Sequence, residues 1–232
     1  MIPIRDDTPR FSTPFVTYFI IALNTVLFLL MEAQGQRAFD RAVYRLGVVP
    51  LHIERVLAAW PASSLTGVFL PILTSMFMHA SLPHVLGNMW FLWIFGDNIE
   101  DYLGHFKYLI FYLASGFAAA VAHILLNAGS NIPSVGASGA IAGVMGAYFV
   151  LYPRARVLIW FPPIFFLHLP AWLMLGYWFF MQFLIGAATS IAETRQTSGG
   201  IAFWAHVGGF VAGIVLIKVL PERPRRYRYA AW

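Results

Sequence analysis

Long uncharged runs alternate with short charged or proline-rich breaks along this chain. Residues 15–31 carry no charge and come close to the about 20 apolar residues that a helix needs to cross a bilayer. Residues 56–96 are also uncharged, but Pro61, Pro71 and Pro83 divide them. Ser63, Ser64, Thr66, Ser75, His79 and Ser81 make the first part too polar and interrupted for a lipid-facing helix. The pattern predicts an interfacial or partly embedded loop there, then a second span at about 84–99. A third span is expected at 108–126. A short fourth, at 138–152, is stopped by Pro153, Arg154 and Arg156. Residues 157–192 are uncharged but split by Pro162, Pro163 and Pro170, which predicts an amphipathic connector and a fifth span at 171–188. Residues 201–220 form the sixth. Within 32–83, the mixed charge and aromatic spacing of FDRAVYRLGV and HIERVLAAW suit short surface helices.

The expectation is an all-α membrane protein: six transmembrane helices in one domain over 1–232, with a long outer first loop. Composition agrees. The 232 residues are 59% hydrophobic and 11% charged, well below the roughly 25% charge of a soluble domain. Basic residues then set the orientation. Six spans place Arg5, Arg10, Lys107, Arg154, Arg156, Lys218, Arg223, Arg225, Arg226 and Arg228 on one side. Arg37, Arg41, Arg45, Arg55 and Arg195 fall on the other, four of them in one long loop. The segment 1–14 and the basic tail 221–232 are therefore expected in the cytoplasm. The net charge of +5 sits at helix ends and in that tail, where it sets topology and does not suggest nucleic-acid binding. Without cysteine there is no disulfide, thiolate metal site or cysteine nucleophile.

Ionisable and polar groups inside a bilayer are costly, so their default reading is functional. Three clusters stand out. In HASLPHVLGN, His84 and Asn88 lie four residues apart near the outer end of the second span, with His79 ahead of them. They share a helix face and can send two donors to one point. In GASGAIAGVMGAY, Ser138 opens the fourth span between Gly136 and Gly139, where the unpaired N–H groups and positive dipole of a helix start would favour an oxyanion. Gly139, Ala142, Gly143 and Gly146 make a small-residue stripe that admits a close neighbour. In AHVGGFVAG, His206 stands in the first turns of the sixth span, ahead of Gly209 and Gly213. The two stripes can interlock at matching depth, bringing Ser138 and His206 together as a serine–histidine pair. Ser115, mid-span and without an upstream glycine, is expected only to pack.

These three segments together resemble the rhomboid family of intramembrane serine proteases. The resemblance rests on His79, His84 and Asn88, on the Gly136–Gly139 box, and on the stretch from Ala205 to Gly213, in that order along nearly the whole chain. It implies that Ser138 is the nucleophile and His206 the general base, with no third carboxylate. His84, Asn88 and the Ser138 backbone N–H would form the oxyanion hole. The implied substrates are other membrane proteins, usually single-span, cut near their outer membrane end where the helix unwinds, with no cofactor. The fifth span (Trp172, Trp178, Phe179, Phe180, Gln182) and the loop 189–203 would act as lateral gate and cap. The chain departs from the pattern at Ala142, where some members carry a Tyr that stacks on the histidine. The Trp-Arg pair that some members carry in the first loop is also absent.

Other intramembrane chemistries fit less well. None of the seven His is followed by Glu, so the H-E-x-x-H zinc motif is missing. Asp97 and Asp101 flank Glu100 at the inner end of the second span, where a solvated helix end is expected. His52, His105, His123 and His168 have no evident partner in the sequence and are assigned structural roles. The alternative in another class is a catalytically silent rhomboid-like protein that binds client helices. The absence of a transit-like leader favours a prokaryotic plasma membrane.

Overall fold

The computed structural model describes residues 1–163, 165–191 and 202–223. The chain runs β1 (Ile2–Asp6), α1 (Phe15–Glu32), α2 (Gln36–Leu46), α3 (Pro50–Ala58), α4 (Thr66–Ser75), α5 (Leu82–Leu103), α6 (His105–Leu126), α7 (Ser138–Leu151), β2 (Arg156–Phe161), β3 (Phe165–Pro170), α8 (Ala171–Ile191) and α9 (Phe203–Val219). The protein is a helical membrane bundle. Helices α1, α6 and α8 are long and apolar enough to cross a membrane, and α7 and α9 are shorter apolar helices. Helix α5 fills the place of the second span. The expected start of the sixth span at residue 201, Arg195, most of the loop 189–203 and the tail from 224 onward lie outside the described residues.

The interior is apolar, as in a water-soluble fold, but much of the outer surface is apolar too. In α1 the buried residues Thr17, Ile20, Asn24 and Phe28 recur at three- and four-residue steps, forming one stripe against the bundle. Its large apolar side chains Phe15, Phe19, Leu29 and Leu30 are exposed, as a lipid-facing surface requires. Helix α7 is the opposite case: every residue from Gly139 to Tyr148 is buried. It is a central post touched by α5, α6, α8 and α9.

The glycines of α7 and α9 explain how the post is gripped. A Cβ on Gly209 would overlap the Gly139 carbonyl, one on Gly213 the Gly143 carbonyl, and one on Gly146 the Phe210 carbonyl. Backbone lies on backbone, which only glycine at the crossing allows. Ser115 of α6 fills the space beside Gly143 and is buried with no partner for its hydroxyl among the described residues. Its packing role matches expectation.

Three regions differ from the sequence expectation. The proline-broken stretch before the second span contains a helix, α4. Pro71 removes one N–H from it, while Val68 and Ile72 pack with Ile53 and Ile124 and hold it in place. The connector at 157–170 is a β-hairpin. Its two runs, RVLIWF and FFLHLP, are short, aromatic and branched, the composition of strands, and the intervening prolines turn the chain. The segment 1–14 is not a free flank: β1 pairs antiparallel with β2, giving a sheet of order β1-β2-β3, and Trp90 Nε1 donates to Pro3 O at 2.6 Å.

The inner acids are a second correction of the same kind. Glu100 is fully buried, not solvated. It accepts from Val16 N at 2.9 Å, Thr17 N at 2.8 Å and Thr17 Oγ1 at 2.7 Å, and lies 2.6 Å from His105 Nδ1. A carboxylate thus satisfies the first N–H groups of α1, which no helix can pair internally. Asp101 accepts from Phe11 N at 3.2 Å and from Ser12 Oγ. The acids clamp the N-terminal segment to α5. Gly104, with φ +77°, turns α5 into α6 in a single residue, a left-handed conformation that favours glycine.

Candidate active site

The nucleophile candidate is positioned from the loop before it. Val48 and Ser134 exchange two backbone bonds of 2.9 and 2.8 Å, Leu51 N donates to Ser130 O at 3.0 Å, and Gly136 N donates to Ser75 O at 2.9 Å. The first loop region, α2 to α4, therefore holds the segment that delivers Ser138. Gly136 has φ +139°, and a Cβ there would lie 2.9 Å from the His84 ring. Conformation and space both demand glycine. Ser138 follows as the first residue of α7, so its N–H belongs to the set left unpaired at a helix start. With 14 residues, α7 is about 21 Å long, short of the roughly 30 Å hydrocarbon core.

Helix α9 brings His206 across the glycine crossing. His206 Nε2 lies 2.8 Å from Ser138 Oγ, within reach for proton transfer. Its other nitrogen, Nδ1, lies 2.9 Å from Gln182 Oε1 on α8. The Trp178 ring leans on the imidazole, with centroids 5.7 Å apart at 38°. Both α8 residues had been expected only as part of a gate. Their spacing of four on one helix was a usable signal, since it puts an aromatic ring and an intramembrane amide on one face.

Opposite this pair stand the donor candidates. Asn88 is buried and its Nδ2 has no acceptor among the described residues. Ala80 N donates to His84 Nδ1 at 3.5 Å, which leaves the proton of a neutral His84 ring on Nε2, the side facing Gly136 and Ser138. His79 is fully buried without a hydrogen-bond partner among the described residues. It packs edge-on against His84, centroids 5.1 Å apart at 72°, a wall that fixes the second ring. Ser138, His206, His84, Asn88, Trp178 and Gln182 all border one cavity of about 510 Å³, which Phe91, Ile141 and Met145 also line. Gly139, Gly209 and Gly213 lie beneath it in the helix crossing.

The remaining histidines are accounted for mainly by neighbours: His52 by Tyr44 at 3.2 Å, His105 by Glu100 and His123 by Asn127 at 3.2 Å. His168 lies on β3 beside a surface hollow with Arg5, Asp6 and Asp7. No three His, Asp or Glu side chains among the described residues converge as a metal-binding set.

Fold and site together define a polytopic helical membrane protein with a serine–histidine pair bordering a cavity inside the bundle. A family model described as Rhomboid domain matches residues 66–223, and the chain belongs to the rhomboid family. It is 30% identical over 205 residues to the mouse presenilin-associated rhomboid-like protein, mitochondrial, covering 84% of this chain and 46% of that protein. It is 29% identical over 167 residues to yeast rhomboid protein 1, mitochondrial, covering 69% and 45%. With the rhomboid protease GluP of Bacillus subtilis it shares 32% identity over 134 residues, covering 58% and 24%. The chain spans about half or less of the length of these relatives.

Proposed function

We propose that this protein is an intramembrane serine endopeptidase that cuts single-span membrane proteins with the Ser138–His206 pair. The observation that carries this reading is the 2.8 Å approach of His206 Nε2 to Ser138 Oγ, beside an Asn88 amide donor that has no acceptor among the described residues. Ser138 Oγ attacks the scissile carbonyl carbon while His206 Nε2 takes its proton. The carbonyl oxygen becomes an oxyanion that accepts hydrogen bonds from Asn88 Nδ2–H, His84 Nε2–H and the Ser138 N–H. Collapse expels the amine, which leaves with the proton from His206. Water then attacks the acyl-Ser138 ester with His206 again as base, releasing the acid and restoring the serine. Each oxyanion donor is worth about 10²–10³ in kcat, so the pair needs no third carboxylate to be effective. Membership of the rhomboid family and a relative named as a protease support the same reading.

The single membrane domain over 1–232 with both ends on the basic side belongs to this proposal, as do α8 and the loop 189–203 as the entry for a substrate helix. The relatives described as mitochondrial lend no support to the prokaryotic plasma membrane expected from the sequence. The test is cleavage of a model single-span protein in liposomes. Ser138→Ala and His206→Ala should each reduce turnover by about 10³-fold or more with the unfolding midpoint unchanged. Undiminished turnover in either variant would sink the reading. Binding without cutting by the intact chain would support the silent client-binding alternative.

A further inference from the structure

For His206 to act as a base, the neutral ring must hold its proton on Nδ1 and turn the Nε2 lone pair toward Ser138. Nothing in an isolated imidazole enforces that choice, so the partner of Nδ1 decides it. Here the partner is Gln182 Oε1 at 2.9 Å. A carboxamide oxygen can only accept, so Nδ1 carries the hydrogen and Nε2 receives the Ser138 hydroxyl proton. The opposite tautomer would set two lone pairs against each other at Nδ1 and would present a hydrogen to Ser138 where an acceptor is needed. Trp178, one turn before Gln182 on the same face of α8, leans on the ring at 5.7 Å and restrains its rotation. Among the described residues, the side chain of His206 has only these two hydrogen-bonding partners, Gln182 and Ser138.

We propose that Gln182 is the positioning residue of this site: it fixes the tautomer of His206, with Trp178 holding the plane of the ring. The role usually given to a carboxylate falls to a neutral amide. That suits a site inside a bilayer bundle, because a buried carboxylate would bring its own desolvation cost. It also suits a chain with Ala142 at the position where the family resemblance leads one to expect a stacking Tyr. The catalytic consequence rests on the protease reading; the tautomer assignment does not.

Two variants separate these statements. Gln182→Met keeps the length and removes the acceptor, whereas Gln182→Glu keeps an acceptor. In liposomes, Gln182→Met should lower kcat by about 10- to 100-fold, within the roughly 10²–10⁴ that general-base catalysis contributes, with KM within about twofold. Gln182→Glu should recover most of that loss, which a purely structural role would not predict. In parallel, ¹⁵N NMR of labelled His206 reads the tautomer directly: the proton on Nδ1 in the intact protein, and a mixture of tautomers in Gln182→Met. A proton on Nε2 in the intact protein, or a Met variant with unchanged kcat and unchanged spectrum, would overturn the assignment. If the intact protein shows no Ser138-dependent cleavage, the protease reading falls, and the spectra still decide the role of Gln182.

Discussion

Between Gly139 and Tyr148 every residue of α7 is buried, and its contact with α9 is backbone against backbone at Gly139–Gly209 and Gly143–Gly213. Helix α8 borders the same cavity but leaves Trp172, Leu173, Tyr177, Phe180, Phe183 and Leu184 exposed. Where α7 and α9 allow no added atom at the crossing, a Cβ on Gly176 of α8 would meet Phe149 at an ordinary 3.7 Å. The two groups proposed to react, Ser138 and His206, come from the tightly fitted pair. The groups that steady the base, Gln182 and Trp178, come from the looser helix. The proposed reacting pair thus sits on a backbone-to-backbone seam, and its alignment depends on side chains from a helix with most of its large apolar residues turned outward.

The contrast can be broken most forcefully at the seam. Gly213→Val drives a branched side chain into the Gly143 carbonyl. It should cost about 3 kcal/mol or more through overpacking and abolish Ser138-dependent cleavage, read as a lowered unfolding midpoint together with lost turnover. A variant of wild-type stability and turnover would mean that the crossing is not as close as described. Next in size, Asn88→Ala should reduce kcat by about 10²–10³ without destabilising the protein, because its Nδ2 makes no bond to the described residues. Loss of stability instead would assign Asn88 to packing. Trp178→Leu keeps α8 apolar and removes the ring against His206. Turnover should fall about tenfold to a hundredfold through misalignment of the base, with only a small change in unfolding midpoint. Gly176→Ala is the smallest case: α8 has space for the methyl, and helix propensity favours alanine by about 1 kcal/mol, so stability should hold or rise slightly at unchanged turnover.

How much of this was legible in the sequence follows the same division. Glycine at three- and four-residue steps encodes the α7–α9 seam in one dimension, so Ser138 and His206 could be paired before any coordinates. The span boundaries of α1, α6, α7 and α8 fall within a few residues of those expected, since uncharged runs and proline stops are local signals. The hairpin β2–β3 was missed because an apolar run beside a membrane span gives no clear period, and its pairing with β1 spans some 150 residues. The sequence points to a solvated helix end at Asp97 and Asp101, and the burial of Glu100 between them does not show there because its partners, Val16 and Thr17, lie on another helix. Gln182 was seen as a gate residue for the same reason: its bond to His206 crosses from α8 to α9, and a single amide in a helix does not announce its partner.

The central claim, that Ser138 is a nucleophile activated by His206, is tested most directly by covalent labelling. The protein in liposomes is treated with a serine-directed phosphonate, and the adduct is located and timed by mass spectrometry. A single adduct on Ser138 is expected, forming at least about 10²-fold more slowly in His206→Ala. An adduct at another residue, or equal labelling of Ser138 without His206, would contradict it.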